Sequence, residues 1–165
     1  MSQPVVSEPP AGAVVDGAPL ILLRLAGSAY ALPAAVVREI VRLPAVTRVP
    51  GLPSFVAGLA NVRGRVLCVL DLRPLLGLDQ PRGHRLVILE RNGVTAGLMV
   101  DAARDLVERD GPLEPLPPGL PADALPLLAG LAVIGGEAVA VLVPDGIFDL
   151  RTRLGSAPAA GPPRG

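Results

Sequence analysis

Residues 125–143 read LPLLAGLAVIGGEAVAVLV, and the two ways of reading them lead to different folds. The stretch has 19 residues and one charge, so as a helix it is long and apolar enough to cross a bilayer. Its interruptions favour the other reading. Pro126, Gly130, Gly135, Gly136 and Glu137 would break or polarise such a helix near its middle, whereas LAVI, GG and EAVAVLV parse as strand, two-residue turn and strand. A buried hairpin is expected here, and no direct membrane insertion.

The same pattern occurs once more upstream. Gly58-Leu59-Ala60 aligns with Gly130-Leu131-Ala132, and at the same offset the run Gly64 to Leu70 aligns with the run Gly136 to Leu142. A slightly smaller offset aligns Ala26-Gly27 with Asn92-Gly93, Ala31-Leu32 with Gly97-Leu98, and Arg38-Glu39-Ile40-Val41 with Arg104-Asp105-Leu106-Val107. The difference between the two offsets calls for a short insertion between 108 and 130, where the proline-rich stretch 111–126 (GPLEPLPPGLPADALP) lies. The chain therefore reads as a duplicated unit, residues 20–80 and 85–150, flanked by disordered tails at 1–19 and 151–165. Units this small are marginal alone and are expected to share one hydrophobic core. Closed or nearly closed small barrels would remove the edges of such short strands.

Further strand signals surround Ala26-Gly27-Ser28 (Leu20 to Leu25, then Ala29 to Leu32) and Arg91-Asn92-Gly93 (Val87 to Glu90, then Val94 to Val100). Arg65 to Leu72 is apolar on both faces from Val66 to Leu70, as a fully buried strand would be. Pro33 to Arg42 puts Val36, Val37, Ile40 and Val41 at helical spacing, which suggests a helical turn or two, or an extension into strand at its end. Arg73 to Leu78 suggests a second short turn. The expected class is mainly β with short helices.

Composition narrows the function. The 165 residues carry 15 acidic groups and 15 arginines with no lysine, for a net charge of zero. That balance, with one Tyr, two Phe and no Trp, argues against a nucleic-acid surface. The 19 glycines and 20 prolines are concentrated in 1–19, 111–126 and 155–165, so the rest of the chain is compatible with a β-rich globule. One cysteine, Cys68, and one histidine, His84, exclude an internal disulfide and a Cys/His zinc site, and point to a reducing cytoplasm. The stretch 1–19 shows no secretory signal pattern.

No catalytic constellation emerges. Cys68 sits inside an apolar run and His84 in a polar turn between the repeats. Asp101, Asp105 and Glu108, and likewise Asp145 and Asp149, have Arg104, Arg109 and Arg151 close by and read as solvated charge faces. Phosphate-binding glycine loops are absent. No enzyme, cofactor or metal is expected.

The unusual segment is Gly58-Leu59-Ala60-Asn61-Val62-Arg63-Gly64, where Asn61 and Arg63 stand between two apolar strands. Arg63 beside Gly64 could present a rigid guanidinium fork to a carboxylate, or Asn61 and Arg63 could simply satisfy the turn. Arg38-Glu39 is open in the same way, as a contact or as a solvated pair.

With its context this segment resembles the CheW-like domain family, the coupling adaptors of bacterial chemosensory arrays. The matching residues are Ala31-Leu32-Pro33 and Val37-Arg38-Glu39-Ile40, Pro50-Gly51-Leu52-Pro53 leading to Gly58 through Gly64, and Val69-Leu70-Asp71-Leu72-Arg73. Gly97-Leu98-Met99-Val100-Asp101 and Gly130-Leu131-Ala132 also fit, so the resemblance covers about residues 20–150. It departs from the family at Cys68, where proline is common, in its few aromatics, and in the proline content of 111–126.

The resemblance implies two small five-stranded SH3-like β-barrels sharing a hydrophobic core. It also implies a non-catalytic cytoplasmic adaptor, associated with membrane-bound receptor arrays, that bridges the cytoplasmic tip of a methyl-accepting chemoreceptor to the regulatory domain of a CheA-type histidine kinase. Glu39, Gly58, Asn61, Arg63 and Gly64 would then lie at, or support, a partner-binding, receptor-facing groove. The alternative is a small-molecule or peptide-binding sensor on the same barrels. An enzyme using Cys68 would require that thiol to be solvent-reactive.

Overall fold

The computed structural model describes residues 17–78 and 83–154; of the expected tails, 1–16 and 155–165 lie outside the described residues. In chain order the strands are β1 (Leu20–Leu25), β2 (Ser28–Pro33), β3 (Val37–Arg42), β4 (Val46–Thr47), β5 (Val56–Val62) and β6 (Arg65–Leu70). Helix α1 (Arg73–Leu76) follows, then β7 (Arg85–Arg91), β8 (Val94–Val100), β9 (Ala102–Val107), β10 (Leu128–Ile134), β11 (Glu137–Leu142) and helix α2 (Pro144–Arg153). Four of the hairpins turn on Ala26-Gly27, Arg63-Gly64, Asn92-Gly93 and Gly135-Gly136, each with positive φ at both residues. That is the signature of the two-residue type I′ turn, whose twist matches the flanking strands. The hairpin reading of 128–142 holds, and no helix among the described residues is long and apolar enough to cross a membrane.

The strands form two sheets, ordered β10-β11-β2-β1-β9 and β3-β7-β8-β6-β5-β4. The chain is mainly β, and the two sheets are interleaved in sequence. The division into half-barrels at 20–80 and 85–150 is therefore corrected: each sheet takes the first hairpin of one repeat and the remaining strands of the other, β9, β10 and β11 in the first sheet and β3 to β6 in the second. The duplication itself is visible in the topology. Replacing β1, β2, β9, β10 and β11 by β7, β8, β3, β5 and β6 turns the order of the first sheet into that of the second, apart from the two-residue β4. Registers follow the same offsets: the parallel pair Ala31 with Val141 corresponds to Gly97 with Val69, and Leu23 with Ala103 to Leu89 with Val37.

The irregularities repeat as well. In β5 the ladder to β6 slips between Val56 and Gly58, and in β10 the ladder to β11 slips between Leu128 and Gly130. Both glycines have positive φ, 146° and 155°, and each lies under a crossing backbone. A Cβ on Gly58 would sit 2.2 Å from the Thr47 carbonyl oxygen, and one on Gly130 2.8 Å from that of Glu114. Thr47 pairs with Leu59 in β4–β5, and Glu114 exchanges backbone hydrogen bonds of 2.7 and 2.8 Å with Leu131. Thus the chain leaving β3, or β9, bends round onto β5, or β10, of its own repeat and nearly closes the sheet. The ladders themselves stay open, with β10 and β9, and β3 and β4, as edges. The proline-rich insertion continues past Glu114 and ends in a 3-10 helix, Ala122–Leu127.

One buried cluster lies between the sheets and contains Leu23, Leu32, Leu70, Leu89, Leu98 and Leu142. Each sheet also encloses a smaller one: Leu20, Ala132, Val139 and Val141 in the first, Leu86, Ala60, Leu67 and Val69 in the second. These residues correspond one to one between the repeats. Because strands of both sheets contribute to it, the shared cluster joins the two sheets in one core.

The expectation for 33–42 is met by a 3-10 turn, Ala34–Val36, that extends into strand β3. A bulge in β3 puts both Val37 and Ile40 against the same cluster, and β-branched side chains prefer the strand. β6 is not fully buried, since Val66 is 63% exposed at its start. Residues 151–153 are not tail but the last turn of α2, which buries Ile147, Phe148 and Leu150.

Candidate functional site

The β5–β6 turn carries the polar groups the sequence singled out. Arg63 and Gly64 occupy its two positive-φ positions, at 52° and 86°. Glycine is at ease there, whereas a residue with a Cβ is strained by about 1 kcal/mol or more. Asn61 locks the turn: its Oδ1 accepts a 2.8 Å hydrogen bond from the Gly64 amide. Asn61 therefore satisfies the turn and fixes the backbone from which Arg63 projects.

Arg63 forms a fork with Glu39. Its Nη1 donates to Oε2 at 2.5 Å and its Nη2 to Oε1 at 3.0 Å. β3 and β5 lie near opposite edges of their sheet, so this contact spans the mouth of the curled sheet. The β3 bulge makes it possible. Between the pairs Val37 with Leu89 and Ile40 with Val87, β3 has both Arg38 and Glu39 against Ile88 alone. The extra residue separates the two neighbours' side chains, so that Arg38 pairs with Glu90 on β7 while Glu39 reaches Arg63. The sequence had left Arg38-Glu39 open as a solvated pair; each instead has its own cross-strand partner.

The fork sets the electrostatics. The hydrogen-bonded Arg63 guanidinium holds the Glu39 carboxyl below the usual glutamate range, with the charge of Arg38 adding to the effect. Glu39 raises the Arg63 guanidinium in return. The Arg63 side chain remains 66% exposed and Glu39 31%, so the pair is preformed yet accessible. Gly58, by contrast, is buried under β4 and supports the site without lining it.

Of the candidates, Glu39, Asn61, Arg63 and Gly64 come together at one mouth, with Gly58 behind. Sequence reasoning missed Arg65, which with Arg38, Arg63, Leu67 and Ile88 lines a concavity of about 160 Å³ beside the fork. Period-two alternation from Leu67 was the available signal, since it puts residue 65 on the same strand face. A larger cleft of about 370 Å³ lies on the other sheet, between β2, β11 and the insertion residues Leu116, Pro117 and Leu120.

Elsewhere the chemistry is structural. Arg73, 5% exposed in its side chain, donates from its amide, Nε and Nη2 to the Asp71 carboxylate at 3.0, 2.9 and 2.9 Å, pinning the start of α1. Arg91 lies over the Phe148 ring at 4.6 Å and pairs with Asp145, tying β7 to α2. Burial raises the Cys68 thiol pKa, with Arg151 pulling the other way, so thiolate chemistry is disfavoured. Among the described residues no cluster of three or more His, Cys, Asp or Glu could hold a metal ion.

Comparison with known proteins agrees with this architecture. Chemotaxis protein CheW of Bacillus subtilis is 31% identical over 114 residues, which is 67% of this chain and 73% of that protein. Protein PilI of Pseudomonas aeruginosa is 37% identical over 81 residues, covering 47% of this chain and 46% of that protein, so the match spans about half of PilI. The scaffolding protein TtCheW of Thermoanaerobacter tengcongensis superposes with a TM-score of 0.65 at 27% identity, over 76% of this chain and 88% of that one. The profile of the CheW-like domain matches residues 19–152, which includes every strand of both sheets. With two interleaved sheets on one core and a match over nearly all described residues, the chain belongs to the CheW-like domain family.

Proposed function

We propose that this chain is a non-catalytic cytoplasmic adaptor that couples the cytoplasmic tip of a chemoreceptor to the regulatory domain of a CheA-type histidine kinase. The observation that carries the reading is the family match across residues 19–152, supported by relatives named as chemotaxis and scaffolding proteins. The Glu39–Arg63 fork, with Arg38 beside it, is the docking site for one of these partners. A preformed, exposed fork on a rigid turn loses little side-chain freedom when a partner closes over it. The coupling is geometric: two sheets on one core hold two partner surfaces at a fixed angle, so that a receptor state biases the kinase.

The test is capture of the cognate kinase and receptor tip by wild type, Arg63→Ala and Arg63→Glu, with melting as a folding control. Both variants are expected to fold and to lose at least one partner, the charge reversal more completely. Undiminished capture of both partners by Arg63→Glu overturns the site. The 370 Å³ cleft favours a second reading, a small-molecule or peptide sensor, since cavities of this size hold ligands. Ligand-dependent melting shifts without any kinase or receptor capture would support that reading.

A further inference from the structure

The concavity beside the fork is rimmed by three guanidiniums, Arg38, Arg63 and Arg65, over a floor that includes Val62, Leu67 and Ile88. Two of the three have internal counter-ions: Arg38 binds Glu90, and Arg63 binds Glu39. The side chain of Arg65, exposed at the start of β6, makes no hydrogen bond or ion pair among the described residues.

The second repeat shows how the scaffold satisfies a charge at this position. Glu137, the counterpart of Arg65, is held by Arg24, the counterpart of Glu90, through bonds of 3.1 and 3.2 Å. On the six-stranded sheet the signs are exchanged, with Arg65 and Glu90 in these places. Arg38, however, has taken Glu90, so three guanidiniums face two carboxylates. The corresponding set on the other sheet, Arg24, Arg104, Asp105 and Glu137, is balanced. The excess positive charge thus sits at the rim of a concavity whose internal acids are already engaged.

We infer that Arg65 is a specificity contact that receives an aspartate or glutamate side chain of the partner docking over the fork. This rests on the reading of the Glu39–Arg63 fork as a docking site. A guanidinium fork takes a carboxylate bidentately, and the bond strengthens as the closing partner excludes water from the concavity. Such a rim charge acts on choice as well as strength, because a partner with Lys or Arg at the facing position is repelled.

The experiment measures affinity for the cognate kinase regulatory domain and the receptor tip, using the full chain as wild type, Arg65→Gln, Arg65→Glu and Arg63→Ala. Arg65→Glu is expected to melt as wild type does and to weaken binding of the partner that Arg63→Ala also loses by about tenfold at low salt, with Arg65→Gln in between. The difference should shrink toward about 0.5 M salt, where exposed charges are screened. An Asp→Arg or Glu→Arg change on that partner should restore binding to Arg65→Glu. If Arg63→Ala loses the partner but Arg65→Glu keeps it, the inference falls and the docking site stands. Full binding by both variants overturns both. Polyphosphate binding that Arg65→Glu abolishes while partner affinity is unchanged would assign the guanidinium to phosphate and overturn the inference.

Discussion

The β5–β6 turn and the β10–β11 turn occupy the same place in the two repeats and solve the same backbone problem differently. At 135–136 both residues are glycine, the relaxed choice for two consecutive positive φ angles of 60° and 82°. At 63–64 the first is arginine, held at 52°. Nearby positions diverge in the same sense. Asn61, which locks its turn, corresponds to Val133, 37% exposed. Glu39, forked to Arg63, corresponds to Asp105, which lies only 3.9 Å from its own neighbour Arg104 with both side chains exposed. Features common to both repeats, the second-position glycines of the turns and the bulge glycines Gly58 and Gly130, belong to the scaffold. Features present in one repeat, Asn61 and the Glu39–Arg63 fork, are the ones the proposed docking site uses.

The largest effect should come from the shared glycines, and its size should differ between the repeats. Any Cβ at either site meets a φ that L residues avoid. At Gly58 it also meets the Thr47 carbonyl at 2.2 Å, within the β4–β5 ladder, while at Gly130 the obstacle is Glu114 at 2.8 Å, in a single bridge of the insertion. Gly58→Ala is expected to destabilise by about 3 kcal/mol or more and Gly130→Ala by roughly 1–2 kcal/mol, read from urea midpoints. Equal losses would show that backbone strain alone, and not the close approach, fixes these glycines.

Exchanging the turns sharpens the comparison further. Arg63→Gly makes the first turn resemble the second; it removes the fork but relieves the left-handed strain. Its melting temperature is expected to be unchanged or up to about 4 °C higher, with partner capture lost. Gly135→Arg should lower the melting temperature by a similar amount and leave capture intact. A fall in stability for Arg63→Gly as large as that for Gly58→Ala would make Arg63 a scaffold residue and remove the distinction.

Much of this was legible in the sequence, and what was not has identifiable causes. The turns could be read because glycine in the second position announces a type I′ hairpin, and the repeat could be read because two constant offsets preserve it. The interleaving was missed because a repeat establishes which strands are equivalent without saying which copy pairs with which. The signal was the spacing: only Asp101 separates β8 from β9, less than the two-residue loop of the tightest common hairpins. The chain therefore runs on into the other sheet. Helix α2 was missed although Pro144, Asp145, Arg151 and Arg153 stand where proline, acidic and basic residues favour a helix's start and end. For the site, residue types were visible but partners were not. Nothing local pairs Glu39 with a turn 24 residues away; the bulge and the curl of the sheet do that.

The smallest effect is also the most direct check that the fork exists. Hydrogen bonding to Arg63 lowers the Glu39 pKa, so the folded group binds its proton less readily than the unfolded one. Its contribution is therefore present above the unfolded glutamate range and is lost as pH falls through the depressed folded value. Between about pH 7 and 5 the fork should be insensitive to pH, opening only below the ordinary glutamate midpoint near pH 4.3. The Glu39 carboxyl carbon, followed by NMR, should titrate below that midpoint in wild type and move up toward it in Arg63→Ala. Gly135→Arg should leave its midpoint where it is in wild type, since that turn belongs to the other sheet. An ordinary midpoint in wild type would mean that Arg63 and Glu39 do not hold each other before a partner arrives. The arginine at position 63 would then be a contact formed on docking rather than a preformed one.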